Sequence, residues 1–255
     1  MDLRNGDCLE LMKTIPDKSV DLFICDLPYG ETNCKWDSVI DMEQFWSEFK
    51  RIRKSKRTAC IHFCSTKFGY TLIKSWEKGY KMDMVWKKRN KTGGLQSRNR
   101  PMRNHEMVYF FYEQAPKYNR DKYHKRIQKK KELEETEPLY KTSAFTEKVK
   151  KGYGYETGPG IQKNKKGDAR FPLTFDPPNP ASVLEEPEPV SMFESTKVFI
   201  GKRHHQTEKP QDILEFFLKY WTDEEDTVLD PTMGSGSTGV ACKKLNRKFI
   251  GFELD

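Results

Sequence analysis

Residues 227–239 read TVLDPTMGSGSTG, a short apolar run that passes directly into a glycine-rich turn. The first four residues predict a buried strand, and the residues that follow Gly239 predict a helix. Gly234, Gly236 and Gly239 stand in GxGxxG spacing, in which glycines let the backbone approach a ligand at the start of a helix. A strand, a glycine turn and a helix in this order predict an α/β fold with a Rossmann-like sheet.

An acidic residue marks the tip of the next predicted strand. Residues 248–255 read KFIGFELD, and Glu253 lies nineteen residues after Gly234. A carboxylate at this place accepts hydrogen bonds from ribose hydroxyls, so the pattern suits a nucleotide-type ligand. By itself the pattern fits NAD as well as another adenosine cofactor.

A second strand also ends on an acid. Residues 20–25 read VDLFIC and predict a buried strand, and DLPYG, residues 26–30, follows at once. A turn of this composition can hold one small planar group at a strand tip. On its own, the same turn is more often a simple strand-to-loop connection with a capping aspartate.

Helical and strand patterns alternate around these two motifs, which predicts a parallel sheet with helices on both faces. The predicted helices cover about residues 9–15, 41–54, 68–79, 211–222 and 239–246. The predicted strands cover about residues 20–25, 58–64, 80–88, 106–113, 227–230 and 248–255.

The middle of the chain differs in composition. From about residue 115 to 195 it is rich in Lys, Glu, Pro, Gly and Tyr, and residues 117–131 include eight Lys or Arg among fifteen. A basic run of this kind is more often a solvated helix face or a linker than a binding element. We therefore predict a loop-rich inserted module at 115–195 between the two halves of one α/β domain, 1–114 and 196–255.

The chain as a whole is basic, with a formal charge of +8 and a pI near 9.0. This charge favours nucleic acid as a partner, although a merely basic soluble protein would share it. No signal-peptide pattern and no apolar run of the ~20 residues that span a bilayer is present, so we expect a cytoplasmic protein without a membrane partner. Cys60 and Cys64 lack a second close-spaced pair that would complete a zinc site, so we expect reduced thiols and no metal.

Together the two motifs resemble those of the β-class amino-group DNA methyltransferases, which use S-adenosylmethionine (AdoMet). That family has Asp-Pro-Pro-Tyr or a close variant at its catalytic turn, and residues 26–29 match it with Leu in second place. In the β class the catalytic motif comes first, a target-recognition insert next and the cofactor loop last, as here. The order implies a circularly permuted sheet in which Met1 and Asp255 fall between neighbouring strands.

The resemblance also implies a cofactor site. Many members have a Thr-x-Lys-Pro element that opens a helix, and an amino-terminal segment like GDCLE that supplies an acid near the adenine. The family usually continues into a further helix, so either the natural chain extends past Asp255 or one sheet face is less well covered. The implied cofactor-binding residues are Asp7, Thr207, Lys209, Pro210, Asp230, Thr232, Gly234, Ser235, Gly236 and Glu253.

The catalytic turn implies a specific chemistry. The carboxylate of Asp26 and the main-chain carbonyl of Leu27 would accept the two hydrogens of an exocyclic amine, whose lone pair is otherwise delocalised into the base. Pro28 would stiffen the turn, and Tyr29 would stack on the base, which is worth about 1–3 kcal/mol in stacking platforms. Such a pocket requires the base to be flipped out of the duplex.

The catalytic motifs of the different methyltransferase families indicate which group of the substrate is methylated. An aspartate in the first place favours adenine N6 over cytosine N4, because Ser-Pro-Pro is commoner among the N4 enzymes. Cytosine C5 chemistry is excluded because no Pro-Cys dipeptide occurs. Protein glutamine methyltransferases have Asn-Pro-Pro-Tyr, but their cofactor loop precedes it, which counts against them.

DNA contact is assigned to a basic, glycine-containing loop, residues 87–106, near the catalytic side, and base reading to the insert. An isolated histidine at the start of a strand is more often structural than catalytic, so we assign His105 no proton-transfer role. The predicted phosphate-binding residues are Lys87, Lys88, Arg89, Arg98, Arg100 and Arg103.

Two other classes of function stay open at this point. An NAD-dependent oxidoreductase would use GSGSTG but would give DLPYG no role. A non-catalytic nucleic-acid-binding module with the same fold would bind DNA without AdoMet turnover. RNA as substrate, a homodimer and a cognate restriction endonuclease also stay open.

Overall fold

The computed structural model of the chain describes residues 1–31, 37–92, 94, 97–123, 192–194 and 208–254. These residues, apart from 121–123, belong to one compact unit. Most of the predicted insert at 115–195 and the predicted cofactor residue Thr207 lie outside the described residues. The division into a target-recognition module and two halves of a catalytic domain therefore stays a prediction.

Within the described residues, eight strands form one sheet in the order β1-β8-β7-β2-β3-β5-β4-β6. The central strands are buried on both faces, as the apolar sequences of parallel strands require. In chain order the strands are β1 Asp2–Asn5, β2 Leu22–Cys25, β3 Ala59–Cys64, β4 Tyr80–Thr92, β5 Arg103–Phe111, β6 Met192–Glu194, β7 Thr227–Asp230 and β8 Lys248–Glu253.

Five strands that are neighbours in the sheet are all parallel, namely β1, β8, β7, β2 and β3. The first strand of the chain pairs with the last one, with Leu3 opposite Gly251 and Asn5 opposite Glu253. This pairing confirms the circular permutation that the order of the motifs implies. The carboxyl ends of β1, β8, β7, β2 and β3 consequently share one edge of the sheet.

The expected parallel pairing is found for β1, β8, β7, β2 and β3, but not for β5. This strand is antiparallel to both β3 and β4, so the sheet is mixed. A parallel neighbour needs a crossover of a dozen or more residues, usually with a helix, whereas only residues 93–102 separate β4 from β5. The two strands therefore form a hairpin. Since β4 runs in the direction of β3, its connection to β5 lies at the same edge as the tips of β2 and β7.

Helices cover both faces of the sheet, as predicted. On one face α1, α2 and α3 pack on Phe23, Cys60 and Phe111 in a common core. On the other face the α5 residue Phe217 contacts Phe63 and Phe110, with ring centroids 5.9 and 5.8 Å apart. The helices are α1 Cys8–Lys13, α2 Met42–Ile52, α3 Thr66–Ser75, α4 Arg120–Tyr123, α5 Gln211–Trp221 and α6 Ser237–Lys244.

Side-chain caps fix where the first three helices begin. Asp7, Asp41 and Ser65 accept hydrogen bonds from backbone N–H groups of the first turns of α1, α2 and α3. The predicted helix at 68–79 thus starts two residues earlier, and it ends at Ser75. None of the helices in the described part of the chain is long and apolar enough to cross a bilayer.

Candidate active site

The sheet topology opens a crevice between β2 and β7. The chain leaves β7 through α6 to β8 on one side, and it leaves β2 through α2 to β3 on the other side. Ligands of open α/β sheets bind where the connections diverge in this way. The two strand tips are joined directly, because the Thr232 hydroxyl donates to the Asp26 main-chain oxygen at 3.0 Å. The two motifs that the sequence singled out are therefore one site.

A buried aspartate fastens the DLPYG turn. The carboxylate of Asp37 accepts hydrogen bonds from the N–H groups of Gly30, at 2.8 Å, and Glu31, at 3.0 Å. Gly30 has a φ of +67°, a conformation that favours glycine. Sequence reasoning missed Asp37, since a lone aspartate twelve residues beyond the end of β2 has no distinctive pattern.

Both oxygens of the Asp26 carboxylate have partners. The Tyr29 hydroxyl donates to Oδ1 at 2.8 Å, and the Lys209 ammonium group donates to Oδ2 in an ion pair. Lys209 is predicted from the sequence to bind the cofactor, but the structure pairs its charge with Asp26, the predicted catalytic aspartate. Its Nζ also lies 4.9 Å from the centre of the Phe63 ring and 5.9 Å from that of Trp86.

Lys209 retains its charge although it is buried. Burial favours the neutral amine, but the carboxylates of Asp26 and Glu106 outweigh that effect and raise the pKa of the Lys209 ammonium group. The Asp26–Lys209 pair is thus an ion pair in a low-dielectric pocket, with side chains 25% and 12% exposed, respectively. One oxygen of Asp26 is held by a cation and the other by a phenol.

Glu106 is a second acid near this pair that sequence reasoning assigned no role. It forms an ion pair with Lys88, and it lies opposite Trp86 in the β4–β5 register. Its Oε2 is buried without a hydrogen-bond partner among the described residues, as is the indole Nε1 of Trp86. Lys88, predicted to bind phosphate, therefore lies near the DLPYG turn with its charge already paired with Glu106.

Tyr29 has one covered ring face. Its ring stacks on Phe68, with centroids 5.1 Å apart and planes inclined by 21°. Burial, together with the negative charges of Asp26 and Glu106, raises the pKa of the Tyr29 hydroxyl well above its ordinary value, so this group stays a donor. A base that stacks on Tyr29 can use only the face opposite Phe68.

The glycine turn after β7 presents backbone to open space. Gly234 and Gly236 have φ angles of +51° and +73°, and a Cβ added at either position would meet nothing within 4 Å. The Gly234 N–H donates to Glu253 Oε2 at 2.6 Å, which ties the turn to the tip of β8. The predicted nucleotide loop is thus anchored to the adjacent strand, with its backbone accessible at both glycines.

Asp230 lies beneath this turn and organises it. Its Oδ1 accepts from the Thr232 N–H at 3.2 Å, and its Oδ2 accepts from the Thr238 hydroxyl at 2.6 Å. Burial raises the pKa of the Asp230 carboxyl to about 7, against the hydrogen bonds from Thr238 and Thr232 that favour the ionised form. The side chain points into the turn, so its direct contacts are with Thr232 and Thr238 of the turn and of α6.

The remaining predicted cofactor residues surround the same crevice. Asp7 caps α1, accepting from Leu9 N at 2.9 Å, and the preceding Gly6 N–H donates to the Glu253 main-chain oxygen at 2.9 Å. The tips of β1 and β8 are thus adjacent. Pro210 immediately precedes α5, and Ser235 lies in the glycine turn.

The predicted phosphate-binding residues lie on the β4–β5 hairpin. Arg98, Arg100 and Arg103 are exposed near its tip, and Lys87 is half-buried in β4. The hairpin tip lies at the edge of the sheet where Asp26 is found. The Arg89 side chain is outside the described part of the structure.

Comparison with known proteins gives concordant matches. Residues 20–255 match the family model of the N6/N4 methyltransferases, described as DNA methylase. The Type II methyltransferase M1.MboII of Moraxella bovis is 25% identical over 261 residues, covering 98% of this chain and 90% of that protein.

Two solved structures illustrate the similarity of the fold. An M1.HpyAVI–SAM complex has a TM-score of 0.58 at 20% identity and covers 100% of this chain and 93% of its own. The cytosine-N4-specific PvuII DNA methyltransferase has a TM-score of 0.61 at 15% identity and covers 99% and 81%, respectively. At these sequence identities the two structures support the assignment of the fold and nothing further.

Proposed function

The chain belongs to the DNA methylase family of N6 and N4 methyltransferases, and from this premise we propose that it methylates the exocyclic N6 of adenine in DNA. The observation that carries the proposal is the position of Asp26, held by Tyr29 and Lys209 and joined to the glycine turn through Thr232. In this proposal Asp26 accepts hydrogen bonds from the substrate amine, and the glycine turn binds the nucleotide part of the cofactor.

The methyl donor is AdoMet, which brings an electrophilic methyl group on a sulfonium. The residues of the crevice fit it. The backbone at Gly234 and Gly236 faces open space, and Glu253 stands at the tip of the next strand to accept from ribose hydroxyls. Gln211 Oε1 is buried without a partner among the described residues, while its Nε2 donates to Ser237 O at 2.9 Å. That free acceptor suits an ammonium donor such as the one in the methionine moiety.

Asp26 activates the amine in this proposal. An N–H of the adenine amino group donates to the carboxylate, and the Leu27 main-chain carbonyl accepts the second hydrogen. Because Lys209 and Tyr29 each occupy one lone pair of the carboxylate, the group is held in one orientation, which reduces reorganisation as positive charge develops on nitrogen. Once N6 has taken the methyl group and the donor has been left as a neutral thioether, the nitrogen releases one proton to the Asp26 carboxylate or to solvent.

The substrate base must leave the duplex to reach Asp26. Tyr29 offers it one ring face, since Phe68 covers the other. The hairpin formed by β4 and β5 would follow the phosphates through Arg98, Arg100 and Arg103. The base-reading role of residues 115–195, a homodimeric assembly and a cognate restriction endonuclease are further parts of this proposal. An aspartate in the first place of the motif supports adenine as the base.

The test is to incubate the protein with unmethylated DNA and isotopically labelled AdoMet, then to digest the DNA and identify the methylated nucleoside. Asp26→Asn, which keeps the shape of the side chain, serves as the paired variant. We expect N6-methyladenine from the wild type and a loss of about 10²-fold or more in the variant, with AdoMet affinity retained.

Each other outcome has a defined meaning. Detection of N4-methylcytosine would support the same mechanism with cytosine, and not adenine, as the substrate base. AdoMet binding without methylated DNA, but with methylated RNA, would change the substrate. Full activity in Asp26→Asn would refute the assignment of this aspartate, and failure to bind AdoMet would refute the cofactor site.

A further inference from the structure

Three soft metal-ligand side chains meet beneath the catalytic turn. Cys25 is the last residue of β2, and Cys60 and His62 lie on the adjacent strand β3. The sulfurs of Cys25 and Cys60 are 3.8 Å apart, and the Cys60 sulfur is 3.2 Å from His62 Nε2. One ligand atom from each residue lies within 4.8 Å of the other two.

The surroundings of these three side chains are dry and aromatic. All three are fully buried, and the rings of Phe45, Trp46 and Phe111 meet the imidazole with centroids 5.4 to 5.6 Å away. His62 Nδ1 has no hydrogen-bond partner among the described residues. The two thiols and the imidazole Nε2 have only one another as polar partners, and a buried imidazole nitrogen without a partner is costly in an aromatic core.

We propose that Cys25, Cys60 and His62 bind one Zn²⁺ ion. Two sulfurs 3.8 Å apart can each lie about 2.3 Å from a common ion, and imidazole nitrogen is an ordinary third ligand. Two thiolates and a neutral imidazole balance the charge of a divalent cation, which matters where all three ligand side chains are fully buried. The thiolate ligands select zinc over magnesium or calcium.

The ligand set leaves one position of a tetrahedral ion for a small exogenous ligand, the arrangement seen where zinc has three protein ligands. The structure describes no fourth His, Cys, Asp or Glu in this group. Cys64 lies on the same strand and belongs to the same core, but it is not one of the three.

The site would stiffen the tip of β2. Cys25 directly precedes Asp26, and His62 is its register partner on β3, so an ion shared by them would fix the strand from which the catalytic turn departs. This inference concerns metal binding alone, and it holds whichever base the protein methylates.

The experiment uses the full chain without a polyhistidine tag. The protein is stripped with chelator under reducing conditions, reloaded with Zn²⁺ or Co²⁺, and freed of unbound metal. Elemental analysis then gives the number of ions per chain, and the Co²⁺ form is examined for thiolate charge-transfer absorption. The variants are Cys60→Ala and His62→Phe, with Cys64→Ala as the matched control because it removes a buried thiol from the same strand.

We expect one ion per chain and a thiolate–cobalt band in the wild type and in Cys64→Ala. Cys60→Ala should lose at least about 100-fold in affinity, since even outer-shell changes around a metal cost 10- to 100-fold. Zinc should also slow the reaction of the wild-type Cys25 and Cys60 thiols with an alkylating reagent in denaturant that transiently opens the core and exposes these buried thiols, as read by mass spectrometry. This last measurement needs no variant, so a misfolded mutant cannot decide the outcome.

Three results would overturn the proposal. The first is a wild type that takes up no ion and shows no cobalt–thiolate absorption. The second is an ion that binds equally well to wild type and Cys60→Ala, which would place it elsewhere in the chain. The third is zinc that binds without protecting Cys25 and Cys60 from alkylation.

Discussion

Lys209 and Asp26 form the contact on which the chemistry of the proposed site depends. The ammonium group is buried against Phe63 and Trp86, so it cannot easily be replaced by solvent. We expect Lys209→Met, which keeps the length of the chain, to lower kcat for methylation by roughly 10²-fold. The affinity for AdoMet should change little, because the charge lies on the catalytic aspartate. Steady-state kinetics with DNA and calorimetric titration of AdoMet measure the two effects.

Lys209→Arg is the paired variant for this prediction. It keeps the positive charge and should recover part of the lost kcat, although the guanidinium is bulkier than the pocket requires. If Lys209→Met lost AdoMet affinity and kept its kcat, the residue would be a cofactor ligand instead, as its motif alone implies.

Asp230 gives the protein a pH-dependent stability. Burial raises the pKa of its carboxyl to about 7 from an ordinary value of 3.8, so the folded state binds a proton between these values that the unfolded state does not. Stability contributed by this group is therefore full below about pH 4 and falls as pH rises toward 7. The shift corresponds to about 4 kcal/mol as an order of magnitude.

Asp230→Asn removes the titration; the Asn oxygen can still accept from the Thr232 N–H, and the Asn NH2 group can donate to the Thr238 hydroxyl, which then acts as the acceptor. We expect the free energy of unfolding of the wild type, minus that of the variant, to decrease between pH 4 and pH 8. Chemical denaturation without AdoMet at several pH values measures this difference. A difference that stayed constant, or that grew with pH, would show that Asp230 is ionised in the folded protein throughout.

At the scale of elements, periodicity and turn residues predicted most of the sheet. The strand Thr227–Asp230 was placed with its observed bounds, because an apolar run ended at a proline and glycine turn. Helix α2 was predicted within two residues at each end, since Phe45, Trp46, Phe49 and Ile52 recur at helical spacing. The direction of β5 was missed because alternation of elements says nothing about strand direction when a connection has no helix.

Residues of the site could be predicted only where one short segment of the sequence contains a complete motif. The DLPYG turn and the glycine turn are local motifs, so both were found and their proximity follows from the sheet. Asp37 could not be assigned because its partners are backbone N–H groups of the DLPYG turn and the residue after it. Glu106 could not be assigned because its partner, Lys88, lies on a neighbouring strand. The ion pair of Lys209 with Asp26 joins residues 183 positions apart, a relation that one sequence does not encode visibly.

The β4–β5 hairpin supports a prediction about DNA affinity. Arg98 and Arg100 are exposed at its tip, on the edge of the sheet where the catalytic turn lies. Each phosphate contact contributes a slope of about −0.9 to the dependence of log K on log salt for duplex DNA. We expect the double variant Arg98→Ala, Arg100→Ala to reduce the magnitude of that slope by about 2, with unchanged AdoMet affinity.

Lys74→Ala with Lys78→Ala is the matched control, since both lysines are exposed at the end of α3 and the turn before β4, at the opposite edge of the sheet. Fluorescence anisotropy with labelled duplex DNA over a range of salt concentrations gives both slopes. Equal losses in the two double variants would mean that net charge alone, and not the hairpin, determines binding.

At the scale of the whole described unit, the crevice joins the two ends of the chain. Glu253 and the glycine turn come from its last part, whereas Gly6 and Asp26 come from its first part. The pairing of β1 with β8 and of β2 with β7 brings these segments together. A ligand held by both parts therefore binds only the folded sheet, and its binding must add to the global stability.

AdoMet should accordingly raise the melting temperature of the protein. At a concentration of 100 times Kd, a ligand that binds only the folded state adds about 2.7 kcal/mol, or roughly 5–10 °C for a chain of this size. Glu253→Gln should reduce this shift because it removes the charged acceptor at the tip of β8, whereas the exposed Glu77→Gln should leave it intact. Thermal unfolding with increasing AdoMet, and with NAD in parallel, measures the effect. Stabilisation by NAD and not by AdoMet would indicate that the glycine turn binds a nicotinamide cofactor, as in the oxidoreductase alternative.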